Sequence, residues 1–235
     1  MVGVANFTNR PDYIQMLDAL TNMEAPPMAP LPRLPVLWLG RMDFAEAYAL
    51  QDRLVAEIRE GTEPEQVLLV EHDPVYTIGR TRNQDSLGEL ERLPAPLVVI
   101  NRGGQATYHG PGQLVGYPML DLETRGRDLH VHLRLLEELV IYVLAEYGVA
   151  GVRRECLTGV WVEDRKIASI GVGVRKGVSM HGFGLNVSRD LTGYAAITPC
   201  GIEGVRMTSL SLELGREVGV EEVAGVAEQV VGNAF

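Results

Sequence analysis

Apolar residues fall at two spacings along this chain, and the spacing separates helices from strands. Over 44–60, Phe44, Ala47, Tyr48, Leu54, Val55 and Ile58 share one broad face of a 3.6-residue repeat. Asp43 precedes them as an N-cap and Gly61 follows as a stop, so a helix packed on a sheet is predicted there. A second helix is predicted over 129–147, with Asp128 as its cap, Leu133, Leu136, Val140, Val143 and Leu144 at helical spacing, and Gly148 at its end. Short β-rich runs bounded by glycine, proline or aspartate read as strands over 36–40, 67–71, 75–78, 97–101 and 114–122. Pro118 marks the last as an edge strand or a bulge, because proline cannot donate to a ladder. Residues 159–163 and 166–174 form a predicted hairpin turning at Asp164 and Arg165, and 178–187 returns after Arg175, Lys176 and Gly177. Lys166 thus opens the central strand of a meander. A loop over 188–204 and helical turns near 208–214 and 220–231 complete the chain.

Strands and helices occur in blocks without steady βαβ alternation, which predicts an α+β fold with a mixed sheet packed by helices. Residues 1–35 carry Pro26, Pro27, Pro30, Pro32 and Pro35, which neither a helix interior nor a central strand accepts. They are expected to be an extension or linker ahead of one domain over 36–235.

Composition narrows the picture by exclusion. With 46% hydrophobic and 22% charged residues the chain is a globular type, and its longest apolar run, 135–145, is broken by Glu137 and Glu138 and is too short to span a bilayer. The first ten residues lack a basic start and an apolar core, so no secretory signal is expected and the chain is read as cytoplasmic. A net charge of −10 argues against nucleic acid as a partner. The two cysteines, Cys156 and Cys200, are expected to be free thiols. Of 21 basic residues only Lys166 and Lys176 are lysines, and lysine, unlike arginine, can give up a proton when buried.

Candidate chemistry gathers at three places. The segment Arg102, Gly103, Gly104, Gln105, Ala106, Thr107, Tyr108, His109, Gly110, Pro111, Gly112 and Gln113 is either an elaborate turn or a ligand-cradling loop, since glycines let backbone N–H groups approach a bound oxygen. Its spacing matches no nucleotide fingerprint. Cys200, between Pro199 and Gly201, is displayed on a loop as a nucleophile would be, whereas Cys156 fits a structural thiol. Lys166 is either a solvated hairpin charge or a proton carrier, and Arg165 already fills the first role. His109 is a candidate for substrate positioning and His181 for lining a pocket, while His72, His130 and His132 read as cap or surface residues. Arg153, Arg154, Arg165, Arg175 and Lys176 form a candidate docking patch for an acidic partner.

At these residues the chain resembles the lipoyl(octanoyl) transferase family. The likeness runs from about Pro35 onward through the runs 44–47, 71–80, 102–113, 159–162, 166–168, 181–186 and 198–201. It implies the fold of biotin and lipoate protein ligase catalytic domains. It also implies octanoyl transfer from acyl carrier protein, through a thioester on Cys200 tuned by Lys166, to a lysine amine of lipoyl domains. Those acceptors would be the E2 subunits of 2-oxoacid dehydrogenases and the H protein of glycine cleavage. Substrate contacts would fall on 102–109, on Ser169, Ile170 and Gly171, and on Gly182, Phe183 and Gly184, with no cofactor, no metal and no membrane partner. One departure is local: Thr158 stands beside Gly159 where the family usually carries a proline. An ATP-dependent lipoate or biotin ligase, or a noncatalytic module that binds acyl carriers, are the rival readings.

Overall fold

The apolar run Val67, Leu68, Leu69, Val70 lies in strand β2 (Gln66–His72) and sends alternate side chains to opposite faces, each into a separate core. A strand that is apolar on both faces must be covered on both, and it is. On one face Ala47, Leu54, Val55 and Ile58 of helix α1 (Phe44–Glu60) meet Leu68 and Val70. On the other, Leu139, Val140 and Val143 of α2 (Leu129–Glu146) and Val223 and Ala227 of α4 (Val220–Ala234) meet Val67 and Leu69. The structure is a computed structural model that describes residues 34–80, 84–126 and 128–234; all but the last two residues of the expected extension lie outside the described residues.

The main sheet runs β1 (Val36–Met42), β2, β6 (Gln113–Met119), β10 (Val178–Asn186), β9 (Arg165–Arg175), β8 (Leu157–Val162) and β7 (Val152–Arg154). The β1–β2 pair is parallel and the rest of this path antiparallel, so the sheet is mixed as expected. Short β11 (Arg206–Met207) continues the β10 side of β9, pairing with Arg165 and Lys166 where β10 has ended. A second sheet, β4 (Leu97–Val99), β3 (Val75–Ile78) and β5 (Thr107–His109), stands apart from it. Both long helices begin as their caps predict: Asp43 accepts from Ala45 N at 2.7 Å and Asp128 from His130 N at 2.8 Å. A short helix α3 (Leu210–Leu214) starts from Ser209.

Several expectations give way to tertiary structure. Pro118 lies inside the sheet, opposite Val67, and not at an edge. The ladder to β10 is broken beside it: pairing stops at Gly116–Phe183 and resumes at Asp121–Val178. In the gap His181 takes φ 61, and its N–H is captured by buried Gln51 at 2.8 Å. The hairpin turns at Glu163 and Asp164, one residue earlier than predicted, with Glu163 at φ 53. The glycine-rich segment is not one loop, since β5 crosses it. The basic residues form no single patch. Arg165 and Arg175 end the same eleven-residue strand, roughly 33 Å apart at about 3.3 Å per residue, and Arg153, Arg165 and Arg175 are already paired with Glu137, Glu213 and Asp52.

Candidate active site

Lys166 is carried on β9 between Trp161 of β8 and Met207 of β11, so its backbone is fixed on both sides. Its side chain is 1% exposed. Nζ donates to the Thr158 carbonyl at 2.9 Å and to Cys200 Sγ at 3.1 Å, and lies 5.4 Å from the Trp161 ring centroid. The other lysine, Lys176, lies in the turn between β9 and β10, at the far end of β9. Space for Lys166 depends on Gly159: a Cβ there would come within 2.6 Å of Lys166 Cε and of the Ala168 carbonyl, and φ 126 is open to glycine alone. The carbonyl that holds Nζ is main chain, so threonine in place of the family's proline at 158 leaves the contact intact.

Cys200 arrives from the other side on the 188–205 loop. It sits at φ 57, a conformation that costs a non-glycine residue about 1–2 kcal/mol. Its N–H donates to the Ala106 carbonyl at 2.9 Å, and Thr198 N donates to the Ser86 carbonyl at 2.8 Å. Ser86 also reaches back: Oγ donates to Gln105 Oε1 at 2.9 Å and accepts from Ala106 N at 3.1 Å. The cysteine loop and the glycine-rich segment are therefore pinned to one another twice, directly by the Cys200–Ala106 bond and through Ser86. Ser169 Oγ lies 3.5 Å from the sulfur.

A cavity of about 360 Å³ opens beside Sγ. Of the expected contact residues, Arg102, Gly103, Gly104, Gln105, Thr107, His109, Ser169, Ile170, Gly171, Gly182, Phe183 and Gly184 line it together with Lys166 and Cys200. Ala106 and Tyr108 do not. Ala106 packs with Ile78 and Leu87, and its carbonyl serves Cys200; Tyr108 meets the Tyr76 ring at a tilt and the Tyr194 ring edge-on. His181 lines the cavity as expected. Apolar wall residues that motif reading did not single out include Ile100, Val115 and Leu133. Cys156, expected in a regular element, is instead exposed in a turn at φ 60 on the cavity border.

Arg102 places a buried positive charge at the cavity. Arg102 donates to Thr77 O at 2.9 Å, Thr77 Oγ1 at 3.0 Å and Gly103 O at 2.9 Å. Burial pulls its guanidinium down to about 10, against the opposing pull of Cys200 and Tyr117. The histidines are neutral by contrast. Burial takes His109 and His181 down to about 3, with His72 adding to the shift of His109 and Arg102 to that of both. His109 Nδ1 is bonded to Gln113 Oε1 at 2.6 Å, and Gln113 Nε2 donates to Asn186 Oδ1 at 3.0 Å and Tyr194 OH at 2.8 Å. His72, expected at a cap or surface, is fully buried between the Met42 carbonyl at 2.9 Å and Tyr117 OH at 2.7 Å. His132 is buried as well, and His130 alone is exposed. Among the described residues no cluster of His, Cys, Asp and Glu has a metal-binding arrangement, and no helix is long and apolar enough to cross a membrane.

The site can bring a thiol, an amine and an apolar slot to one point. The family model of the lipoyl protein ligase A/B catalytic domain matches residues 43–231. An octanoyltransferase from Syntrophotalea carbinolica is 55% identical over 185 residues, 79% of this chain and 86% of that protein. Among solved structures, a bipartite lipoate protein ligase from Thermoplasma acidophilum superposes with a TM-score of 0.65 at 19% identity, over 86% of this chain and 83% of that one. A biotin protein ligase from Aquifex aeolicus gives a TM-score of 0.51 at 16% identity, over 86% and 69%. These last two likenesses are of fold.

Proposed function

This chain belongs to the lipoyl protein ligase A/B catalytic domain family, and we infer that it is an acyltransferase that carries out octanoyl transfer in protein lipoylation, the activity for which its relatives are named. The observation that carries the chemistry is the 3.1 Å contact between Lys166 Nζ and Cys200 Sγ at the cavity wall. Cys200 attacks the thioester carbonyl of an octanoyl group borne by acyl carrier protein. Lys166 takes the Sγ proton and returns one to the departing pantetheine thiolate, leaving octanoyl-Cys200 and a free carrier thiol. The acceptor lysine of a lipoyl domain then attacks octanoyl-Cys200. Its proton passes through Lys166 to the released Cys200 thiolate as the amide forms. Thioester exchange is nearly isoenergetic and amide formation is downhill, so the sequence of steps balances without ATP.

Recognition of the acyl chain falls to the apolar wall. Six or seven methylenes, at about 0.8 kcal/mol each, contribute on the order of 5 kcal/mol in a dry slot. Gly182 lets β10 lie close along β6, since a Cβ there would strike the Gly116 carbonyl, and this keeps the wall of Val115 and Phe183 continuous. Arg102, buried with uncharged partners, supplies a fixed positive charge beside the reacting sulfur.

Intact-mass spectrometry after mixing with octanoyl carrier protein tests the reading. One octanoyl adduct is expected, removed by hydroxylamine and absent in Cys200→Ser. An adduct on Cys156 would overturn the assignment of the nucleophile. Product formation that requires ATP would favour a ligase, and full function in Cys200→Ser would favour a noncatalytic carrier-binding module.

A further inference from the structure

Glu137, on α2, is the one carboxylate buried among the described residues, and its two oxygens face different ways. Oε2 is paired with Arg134 at 2.6 Å and Arg153 at 3.2 Å. Oε1 accepts the Gly159 N–H at 3.0 Å. That N–H belongs to the same peptide group as the Thr158 carbonyl, which holds Lys166 Nζ at 2.9 Å. In a trans peptide N–H and C=O point in opposite directions, so fixing the N–H on α2 aims the carbonyl at Lys166. Residue 159 is a glycine at φ 126, so no side chain of its own restricts that orientation. A turned peptide would present its N–H to an ammonium. We propose that Glu137 is a positioning residue for acyl transfer, locking the Thr158–Gly159 peptide with its carbonyl on Lys166 and so holding Nζ against Cys200 Sγ. A carboxylate on the N–H also polarises the peptide and makes the carbonyl a stronger acceptor for a positive donor. The inference rests on the reading that Lys166 and Cys200 carry the reaction.

The competing role for Glu137 is a buried ion pair that ties α2 to the strand bearing Arg153. Ion pairing uses Oε2 and the peptide lock uses Oε1, so variants separate them. Glu137→Gln keeps an oxygen for Gly159 and loses the ion pairs. Arg134→Ala weakens the ion pairs and leaves Oε1 in place. Two quantities are measured: octanoyl transfer, and the pH at which iodoacetamide alkylation of the Cys200 peptide is half-maximal. The second is read by peptide mass spectrometry because Cys156 is also exposed. In Glu137→Ala, transfer is expected to fall about tenfold or more and the alkylation midpoint to move to higher pH. Glu137→Gln is expected to stay within about threefold of wild type, with an unmoved midpoint, although it melts lower. Arg134→Ala should also leave the midpoint unmoved. The proposal is overturned if Glu137→Gln is as impaired as Glu137→Ala, if Glu137→Ala keeps the wild-type midpoint, or if Arg134→Ala shifts it. The Gln and Arg134 arms decide the matter should Glu137→Ala not fold. An octanoyl adduct on wild-type Cys200 is recorded in parallel. Its absence strikes at the proposed reaction, whereas its presence beside an unaffected Glu137→Ala overturns only the positioning role.

Discussion

Lys166 and Cys200 meet because each is held by neighbours that leave it little freedom. Nζ has two hydrogen-bond partners in a slot that is 1% exposed, and Sγ hangs from a residue in the left-handed region whose N–H is fixed to Ala106. Left-handed non-glycine residues cluster at functional sites because the surroundings must over-determine them. The question at this scale is whether Lys166 moves a proton or only presents charge. Lys166→Arg separates the two, since arginine keeps the charge and cannot give up its proton near neutral pH. We expect this variant to be alkylated by iodoacetamide at Cys200 near neutral pH while octanoyl transfer falls about 10²-fold or more, the usual worth of a general acid–base group. Lys166→Ala should lose both properties. The slot beside Gly159 is tight, so retained binding of octanoyl carrier protein is the control for bulk. Near-normal transfer by Lys166→Arg would leave Lys166 an electrostatic role alone.

Between elements, the decisive joint is Ser86, whose hydroxyl and carbonyl tie the glycine-rich segment to the loop of Cys200. Ser86→Ala removes two side-chain hydrogen bonds at a buried position and orphans the Ala106 N–H, a loss on the order of 1–3 kcal/mol. Faster hydrogen exchange at Cys200 N and a several-fold drop in transfer are expected, with the Lys166 strand unaffected. Unchanged exchange at Cys200 would mean that the loop is held by its other contacts. No local pattern in the sequence singles out Ser86, and the reason is general to this fold. The helices of 44–60 and 129–146 were legible because caps and apolar spacing are local, and Cys200 and Lys166 because motif and hairpin placement are local too. Roles set by distant partners were not: His72 owes its burial to Tyr117, 45 positions on, and Glu137 its function to Gly159, 22 positions on. Pro118 misled for the same reason, since its tolerance in an interior strand depends on Gln51 accepting the His181 N–H across 130 positions. Cys156 looked structural by its surroundings in sequence and is placed on the cavity border by the turn ahead of β8.

For the molecule as a whole, four of the five histidines are buried, and this sets how it responds to acid. Burial lowers all four, His109 and His181 to about 3 and His132 to about 4, with His72 lowered as well. A histidine whose folded pKa is depressed stays neutral in the native state and becomes charged on unfolding. The unfolded chain therefore binds more protons between about pH 6.5 and the folded values, and stability falls as pH drops through that window. The contribution is fully present above pH 6.5. His109, His132 and His181 together lose about 4 kcal/mol by pH 5.5, a large part of the roughly 5–15 kcal/mol available to a domain. Acidification also neutralises carboxylates and relieves the repulsion of a net charge of −10, but ordinary carboxylates, with values of about 3.9 to 4.3, are still more than about nine-tenths ionised at pH 5.5. The histidine effect therefore governs the window from 6.5 to 5.5. Thermal melts taken from pH 7.5 down to 5.5 are expected to show the melting temperature level above about 6.5 and then falling by on the order of 10 °C. A melting temperature that stays flat to pH 5.5 would mean that these histidines already bind protons in the folded protein. The walls of the cavity, lined by His109, His181 and Arg102, would then carry more positive charge than neutral imidazoles give them.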